Sequence, residues 1–371
     1  MNDSTNARAR IARLEEATRR AGFDGVLVVP GPNLEYLTGL SFHLSERPTV
    51  AFFPMHGKPT IALPGFELSK TEGSGLGWDA FGYDDGTGPA PAFAKVRESL
   101  RLSGARWGVE GRRLRFLELR LLEGTQLENA DATFAELRMR KGSDEIAAMR
   151  RAVEIAEAAL AATLPLIRVG VAETTIAAEL TLQTLRAGSD PHLPFMPIVA
   201  AGPNGARPHA VPGPRSIERG DLVTVDWGAS HRNYFSDITR TFAVGAAPRT
   251  ELKAAYEAVR AANAAGRAAV RPGATGQDVD RATRAVIVAA GLGEYFTHRT
   301  GHGLGLESHE EPDMKEGSLI PLEPGMTFTV EPGVYLPGLG GIRIEDDIVV
   351  TEAGGESLTG LPRELQILDR G

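Results

Sequence analysis

Two aspartates lie in neighbouring strand-like segments in the second half of the sequence. Asp226 ends the run Leu-Val-Thr-Val-Asp, and Asp237 lies within Tyr-Phe-Ser-Asp-Ile-Thr-Arg-Thr. Residues 231–233, His-Arg-Asn, lie between them and favour a turn, so we predict a hairpin that brings the two carboxylates together. Like charges opposite each other in a sheet repel, and a bound cation is the simplest compensation. One aspartate facing solvent at a strand end is an equally good interpretation of these two residues alone.

A second pair of strand-like segments also carries one acidic residue in each segment. Glu331 follows Thr-Phe-Thr-Val, and Glu345 lies in Gly-Ile-Arg-Ile-Glu, with a Pro- and Gly-rich turn between them. Strand alternation places Arg343 and Glu345 on one face, where the guanidinium could hold a carboxylate through two parallel hydrogen bonds. Taken alone, an Arg–Glu pair on a solvated strand is the better interpretation.

Histidines and glycines alternate in a short segment between these two pairs. Three of the eight histidines fall there, with small residues that let a backbone approach a ligand closely. The glycines do not match the dinucleotide fingerprint and no Lys-Ser or Lys-Thr follows, which disfavours a phosphate site. Three histidines in this arrangement favour a functional site. They are His298, His302 and His309, separated by Gly301, Gly303 and Gly305.

Four acids and one histidine form a coherent set of metal ligands. Four buried carboxylates are prohibitively costly without cations, and two divalent ions would cancel their charge. Oxygen donors with one imidazole suit Mn²⁺ best, with Co²⁺ or Zn²⁺ as alternatives. Two such ions can activate a bridging water as hydroxide, which is the chemistry of a hydrolase. The four acids are Asp226, Asp237, Glu331 and Glu345, and the histidine is one of the three in the glycine-rich segment.

The rest of the sequence predicts two domains. A chain of 371 residues with 42% hydrophobic and 24% charged residues is long enough for two globular cores. Residues 1–137 alternate short strands, at 26–29, 50–53 and 60–63, with helices, which predicts an α/β domain. Residues 138–371 contain two helix pairs, each joined by an Arg-x-Gly turn at 168–170 or 271–273 and followed by strands.

This repetition predicts a duplicated helix–helix–sheet unit and an α+β domain, with the two sheets facing each other around a shared site. Chance similarity between Ala-rich helices is the competing explanation.

Composition excludes several other classes. Lys and Arg number 40 and Asp and Glu 48, a formal net charge of −8 that lacks the basic field of a nucleic-acid or membrane-surface binder. The absence of cysteine excludes disulfides, thiolate metal sites and cysteine nucleophiles. No apolar run approaches the roughly 18 residues of a membrane span, and no signal peptide is recognisable. We therefore expect a cytoplasmic protein with neither nucleic-acid nor membrane partners.

The predicted ligand set, in this order and local sequence, resembles the metallopeptidase family built on the pita-bread fold. That family contains Xaa-Pro aminopeptidases, prolidases and methionine aminopeptidases. The resemblance implies that Asp237 and Glu345 bridge two metals, that Asp226 binds one of them, and that His302 and Glu331 bind the other. The N-terminal α/β domain is similar to that of the Xaa-Pro branch, which also implies oligomer contacts and, as the safer expectation, a homodimer.

The same resemblance assigns roles in catalysis. Glu331 is expected to take the proton of the attacking water, and His309 to donate to the carbonyl oxygen as it becomes an oxyanion. His209, in the segment Gly-Ala-Arg-Pro-His, resembles a histidine that contacts substrate near the scissile bond. The expected reaction is hydrolysis of the bond between an N-terminal residue and a following proline, in dipeptides or oligopeptides.

Substrate-binding residues are predicted with the same resemblance. His298 resembles a residue lining the pocket for the proline ring, with Tyr234 as a second candidate, and Arg343 resembles an arginine behind the metal ligands. A dipeptidase needs a cation for the free carboxylate of proline, and Arg47, in a loop of the first domain, is one hypothesis. A solvated loop arginine is the more ordinary interpretation of Arg47.

Two other functions remain open from the sequence. One is hydrolysis of another small amide, although creatinase, which shares the architecture, lacks the five metal ligands. The other is a non-catalytic peptide-binding scaffold, a type of relative that typically loses ligands.

Overall fold

The computed structural model describes residues 3–369. The chain divides into two compact units, with the division between Arg138 and Met139. Among the described residues, no helix has both the length and the apolar character needed to cross a bilayer.

The first unit is built around one six-stranded mixed sheet, in the order β4-β3-β2-β1-β5-β6. The central strand β1 pairs antiparallel with β2 and parallel with β5, and helices pack against a core containing Phe52, Phe93 and Trp107. The α/β prediction is confirmed. Its elements are α1 (Asp3–Ala21), β1 (Gly25–Val28), α2 (Pro32–Thr38), β2 (Val50–Pro54), β3 (Thr60–Pro64), α3 (Leu68–Glu72), β4 (Asp79–Tyr83), α4 (Ala90–Ser99), β5 (Arg106–Val109), α5 (Phe116–Leu121), β6 (Gln126–Asn129) and α6 (Asp131–Met139).

The second unit contains two helix pairs and two main sheets. Its helices are α7 (Ser143–Thr163), α8 (Glu173–Arg186), α9 (Thr250–Ala269) and α10 (Gly276–Ala289). Its strands are β7 (Ile198–Ala201), β8 (Leu222–Trp227), β9 (Ser230–His231), β10 (Tyr234–Phe235), β11 (Ile238–Val244), β12 (Gly301–Gly303), β13 (Glu310–Met314), β14 (Thr327–Val330), β15 (Gly333–Leu336), β16 (Gly340–Arg343), β17 (Asp346–Thr351), β18 (Gly354–Ser357) and β19 (Ile367–Leu368).

The duplicated arrangement is confirmed by the order of these elements. The pair α7–α8 precedes the sheet β19-β11-β8-β7, and the pair α9–α10 precedes the sheet β13-β12-β14-β17-β18. Both Arg-x-Gly turns end on a glycine with positive φ, 86° at Gly170 and 82° at Gly273. Glycine reaches this conformation without the steric cost of a Cβ, so the same turn recurs in both halves.

The hairpin between β8 and β11 contains a smaller one, β9–β10, whose turn residues Arg232 and Asn233 both have positive φ. The register of β8 and β11 differs from our expectation, because Asp226 lies opposite Thr239 rather than Asp237. The ladder ends before Asp237, where the chain passes so close to Gly228 that a Cβ there would lie 2.0 Å from the Ser236 carbonyl oxygen. Asp237 therefore leaves the sheet just before β11 begins.

Candidate metal centre

Five potential ligands meet where the two sheets of the second unit approach each other. Asp226 lies near the end of β8, in the first sheet, and Asp237 directly precedes β11 of that sheet. His302 lies in β12, Glu331 directly follows β14 and Glu345 directly precedes β17, all in or beside the second sheet. All five side chains line one cavity.

The two sheets are joined at this point by the backbone. The Glu345 N–H donates to the Thr239 carbonyl oxygen at 3.1 Å, an isolated bridge between β11 and the residue before β17. The Thr239 hydroxyl donates to Glu345 Oε2 at 2.6 Å, which orients the carboxylate. The position of Glu345 relative to Asp226 thus depends on a contact between segments far apart in sequence.

The distances within this group fit a bound cation. One ligand atom each from Asp237, His302 and Glu345 lies within 4.8 Å of the others. His302 Nε2 lies 3.3 Å from Glu331 Oε1 and 3.7 Å from Asp237 Oδ2. Asp226 Oδ1 is buried and has no hydrogen-bond partner within residues 3–369. A buried carboxylate oxygen without a donor is unfavourable, and a metal ion would satisfy it.

Burial and mutual repulsion dominate the electrostatics. Burial raises the pKa of Asp237 and Glu345 well above the usual range, and the neighbouring carboxylates add to both shifts. Burial also raises the pKa of Glu331 to about 7. Desolvation lowers the pKa of His302 well below its usual value, so its imidazole is neutral and able to ligate a metal. Four carboxylates outnumber the two arginines that line the cavity, and this excess of negative charge suits divalent cations.

Arg343 makes four contacts around the acids. Its Nη2 donates to Asp226 Oδ2, its Nε to the Thr239 hydroxyl at 3.1 Å, and its Nη1 to the Tyr335 hydroxyl at 2.8 Å and the Pro208 carbonyl at 3.2 Å. The guanidinium therefore contacts the Asp226 carboxylate through one nitrogen. It does not form the two parallel hydrogen bonds to a carboxylate that the sequence suggested.

Tyr335 extends this chain of hydrogen bonds to His298. His298 Nδ1 lies 2.7 Å from the Arg299 carbonyl oxygen, which only accepts, so Nδ1 carries the proton. Nε2 then accepts from the Tyr335 hydroxyl at 2.8 Å. Burial lowers the pKa of His298 to about 4, so its ring is neutral at pH 7. Sequence reasoning missed Tyr335, although its position directly after Glu-Pro-Gly-Val was a usable signal.

The cavity above the acids has a volume of about 470 Å³, within the range of small-molecule sites. Apolar side chains and four histidines, His302 among them, line it. The rings of His302 and His309 lie 4.1 Å apart between centroids. The apolar residues are Phe195, Met196, Ile198 and Pro208, and the additional histidines are His209, His298 and His309.

Sequence comparison assigns the chain to a family. A model described as metallopeptidase family M24 matches residues 147–352, and one described as the creatinase/prolidase N-terminal domain matches residues 10–140. The chain belongs to family M24. The pita-bread resemblance inferred from the sequence is thereby confirmed.

Relatives of this M24 chain match it over nearly their full lengths. An uncharacterised peptidase of Bacillus subtilis, YqhT, is 36% identical over 97% of this chain and 100% of its own. The crystal structure of dipeptidase PepE from Mycobacterium ulcerans has a TM-score of 0.92, with 36% identity and complete coverage of both chains. The Xaa-Pro dipeptidase from Bacillus anthracis has a TM-score of 0.90 and is 35% identical, covering 98% of this chain and all of its own.

Two residues that were predicted to bind substrate, Tyr234 and Arg47, make contacts with protein side chains in the structure. Tyr234 is absent from the lining of the cavity; its ring is buried in the core beneath α7 and its hydroxyl donates to Glu145. Arg47, in the first unit, donates through Nε and Nη2 to Asp85 at 2.8 and 2.9 Å, and through Nη1 to Glu46 at 2.6 Å. The residues that line the cavity therefore include the aromatic hydroxyl of Tyr335 and not that of Tyr234.

We expect Gly301→Ala to damage the metal centre by overpacking. A Cβ at Gly301 would lie 1.9 Å from the Thr329 carbonyl oxygen, so β12 would have to move away from β14 and take His302 with it. A loss of about 1–3 kcal/mol in the free energy of unfolding is typical of such overpacking. Urea denaturation measures it, and calorimetric titration with Mn²⁺ measures the accompanying loss of affinity.

Gly73→Ala is the matched control for Gly301→Ala, because the nearest atom to its Cβ would be the Lys70 carbonyl oxygen at 4.0 Å. Equal stability and equal Mn²⁺ affinity of the two variants would contradict the proposed steric conflict between a Cβ at Gly301 and the Thr329 carbonyl oxygen.

Proposed function

We propose that this chain is a metal-dependent Xaa-Pro peptidase, which hydrolyses the bond between an N-terminal residue and a following proline. The observation that supports this most strongly is the complete set of four carboxylates and one imidazole around a single cavity, in an M24 chain. Relatives named Xaa-Pro dipeptidase over nearly the whole chain support the same substrate class. A scaffold without catalysis would have no need to keep four mutually repelling acids.

The proposed ligands hold two divalent ions, with Mn²⁺ preferred over Co²⁺ and Zn²⁺. When bound, such ions polarise a peptide carbonyl and activate a water molecule for attack. Asp237 and Glu345 are the proposed shared ligands, Asp226 completes one position, and His302 with Glu331 complete the other. The unsatisfied Oδ1 of Asp226 and the neutral ring of His302 fit these roles.

Glu331 and the histidines at the cavity are the proposed proton acceptors and hydrogen-bond donors of the reaction. Glu331 is the proposed acceptor of the proton from the attacking water, because a carboxylate beside the reacting group can take up a proton and release it again. Partial burial and the Arg299 charge lower the pKa of His309, so its neutral imidazole can donate a hydrogen bond to the developing oxyanion. His209, on an exposed turn at the cavity, is the proposed contact near the scissile bond.

The apolar side chains that line the cavity provide the proposed binding site for the proline ring. Among them are Phe195, Met196 and Ile198, and the His298 Nδ1–H donates to the Arg299 carbonyl oxygen. An Xaa-Pro bond has no N–H, so the site needs no acceptor for one. A homodimer and a cytoplasmic location stay predictions from the sequence; sedimentation velocity tests the first.

A peptide panel assayed after metal removal tests the proposed function. We expect a chelated sample to be inactive and to regain hydrolysis of Ala-Pro and Leu-Pro on addition of Mn²⁺, with Ala-Ala and Leu-Ala cleaved at least about ten-fold more slowly. Co²⁺ and Zn²⁺ are added in parallel to rank the metals. Full metal loading without hydrolysis of any Xaa-Pro peptide would favour the scaffold, and selective cleavage of a non-proline amide would favour the other amide hydrolase.

A further inference from the structure

Helix α9 carries a fully buried asparagine, Asn263, that is not among the proposed metal ligands. Its Nδ2 donates to the Val330 carbonyl oxygen at 3.0 Å and to the Ile344 carbonyl oxygen at 3.3 Å. These carbonyls directly precede Glu331 and Glu345 in the chain. We propose that Asn263 is a positioning residue, which holds the backbone segments that carry Glu331 and Glu345 and so sets the separation of their carboxylates. The inference rests on the proposed function, because both carboxylates are proposed metal ligands.

The hydrogen-bond partners of Asn263 fix the direction in which its amide points. The two backbone carbonyls can only accept, and the Asp346 carboxylate, whose Oδ2 lies 3.0 Å from Nδ2, accepts as well. On the opposite side, Arg267 Nε donates to Oδ1 at 2.8 Å. A flipped amide would turn Oδ1 toward three acceptors and Nδ2 toward a donor. The amide of Asn263 therefore has one favourable orientation, as a positioning role requires.

The place of Asn263 in the fold explains why a positioning residue is needed there. Strand β14 ends at Val330, β17 begins at Asp346, and these two residues form the last pair of their ladder. Glu331 and Glu345 lie just beyond this pair, where the ladder no longer holds the backbone. Without a cation their carboxylates also repel each other. Asn263 contacts both members of the last pair, through the Val330 carbonyl and the Asp346 carboxylate.

Asp346 connects this contact to a second one at Glu345. Its Oδ1 accepts from Arg240 Nη2 at 2.7 Å, and both side chains are almost completely buried. Arg240 Nη1 also donates to the Glu345 carbonyl oxygen at 2.6 Å and to the Thr239 carbonyl oxygen at 2.8 Å. The backbone at Glu345 is therefore held at two successive carbonyls, by Asn263 and by Arg240.

The repeated architecture indicates that the fold itself does not require a polar residue at this position. Asn263 lies as far in sequence before Arg271, which begins the second Arg-x-Gly turn, as Leu160 lies before Arg168, which begins the first. Leu160 is buried in an apolar core. Burial of a polar group is unfavourable unless its hydrogen bonds are made. The hydrogen bonds of Asn263, rather than its packing, are thus the feature that distinguishes α9 from α7.

The test replaces Asn263 with leucine, the residue at the comparable position of α7. We expect Asn263→Leu to weaken Mn²⁺ binding at least about ten-fold in calorimetric titration, as is typical when a residue that orients metal ligands is lost. Asn263→Gln retains the amide group and should recover part of the affinity, although its longer side chain is harder to pack.

Leu180→Ala is the control for a general loss of stability. Leu180 is fully buried in α8, in the core that also contains α7 side chains, and its truncation leaves a cavity. Its Mn²⁺ affinity should equal that of the wild type. A wild-type affinity in folded Asn263→Leu, or an equal loss in Leu180→Ala, would overturn the inference.

Hydrogen exchange of the chelated protein separates this inference from the proposed function. The Glu331 and Glu345 backbone N–H groups both donate to carbonyl oxygens, at 2.8 and 3.1 Å. We expect peptides covering residues 328–346 to exchange at least about ten-fold faster in Asn263→Leu than in the wild type, relative to a peptide from β8. This result supports the inference even when the wild type binds no Mn²⁺, in which case only the proposed metal function fails. Unchanged relative exchange overturns the inference, whatever the Mn²⁺ affinity.

Arg267→Met decides the question if Asn263→Leu does not fold. The Arg267 side chain is 29% exposed, so its replacement is better tolerated, and it removes the hydrogen bond to Asn263 Oδ1. Relative exchange over residues 328–346 should rise by at least about two-fold, because the amide is then held on one side only. Arg281→Met, which removes a positive charge from an exposed helix face, should leave the exchange unchanged. Equal exchange in these two variants would also overturn the inference.

Discussion

Asp237→Asn is expected to abolish hydrolysis of Ala-Pro while raising the melting temperature of the metal-free protein. The carboxylate is a proposed shared ligand, and metal stabilisation of a transition state is worth several kcal/mol, so the rate should fall at least about 10³-fold. In the chelated protein the same carboxylate is buried among Glu345, Asp226 and Glu331, which repel it. A neutral amide of the same shape removes that repulsion.

The effect of Asp237→Asn on stability depends on pH. Burial raises the folded-state pKa of Asp237 well above its ordinary value of 3.8, so folding favours the protonated form. The metal-free wild type therefore loses stability as pH rises from about 4 through that raised pKa, and Asp237→Asn should lose less. Thermal unfolding with chelator at pH 5 and pH 8 measures this difference.

Asp278→Asn is the control for Asp237→Asn. Asp278 lies at the exposed start of α10, where hydrogen bonds from Thr275 lower its pKa, so its charge is favourable there. Its replacement should not raise the melting temperature.

Mn²⁺ binding should stabilise the wild type against unfolding, by about 2.7 kcal/mol when the free Mn²⁺ concentration is 100 times its dissociation constant, and should stabilise Asp237→Asn much less. A full Mn²⁺ effect in Asp237→Asn would refute the ligand assignment.

Arg343→Met is expected to be the most destabilising single change at the site. It leaves Asp226 buried without a cation and removes hydrogen bonds to Thr239 and Tyr335. Breaking a buried ion pair by removing one partner costs about 3–5 kcal/mol. Urea denaturation of the chelated protein measures the loss, and Arg343→Lys, which keeps the charge, should lose less.

Two comparisons separate the role of the Arg343 charge from general disruption. Arg281→Met breaks an exposed pair with Glu316 and should cost no more than about 1 kcal/mol. Asp226→Asn in the Arg343→Met background should recover part of the stability, because the unpaired charge is gone. The assignment fails if Arg343→Met costs no more than Arg281→Met, or if the second substitution adds a further loss.

Much of the site was accessible from the sequence because metal ligands impose residue types and local patterns. The four acids were named from strand alternation and charge, and His302 was named from the family resemblance; all five side chains line one cavity. Their individual roles at the metals stay predictions. The duplicated helix pairs were equally visible, because in each pair an Arg-x-Gly turn whose glycine has positive φ joins the two helices.

The differences from the expectations concern which residues come into contact. Asp226 was expected opposite Asp237 but lies opposite Thr239, because the turn at Arg232 and Asn233 sets the register of the hairpin. Tyr234 was chosen as the pocket aromatic, although its hydroxyl binds Glu145 and the site uses Tyr335.

The class of the molecule follows from the amino-acid sequence: two domains, a repeated second domain, and an acidic hydrolytic site with one imidazole. These features depend on residue type and spacing, which are local properties. The partner of each polar group depends instead on the folded structure. Hydrogen bonds and charge pairs form between neighbours in space, so the pairing of Arg343 with Asp226 and the hydrogen bond between Thr239 and Glu345 arise only when separate strands come together.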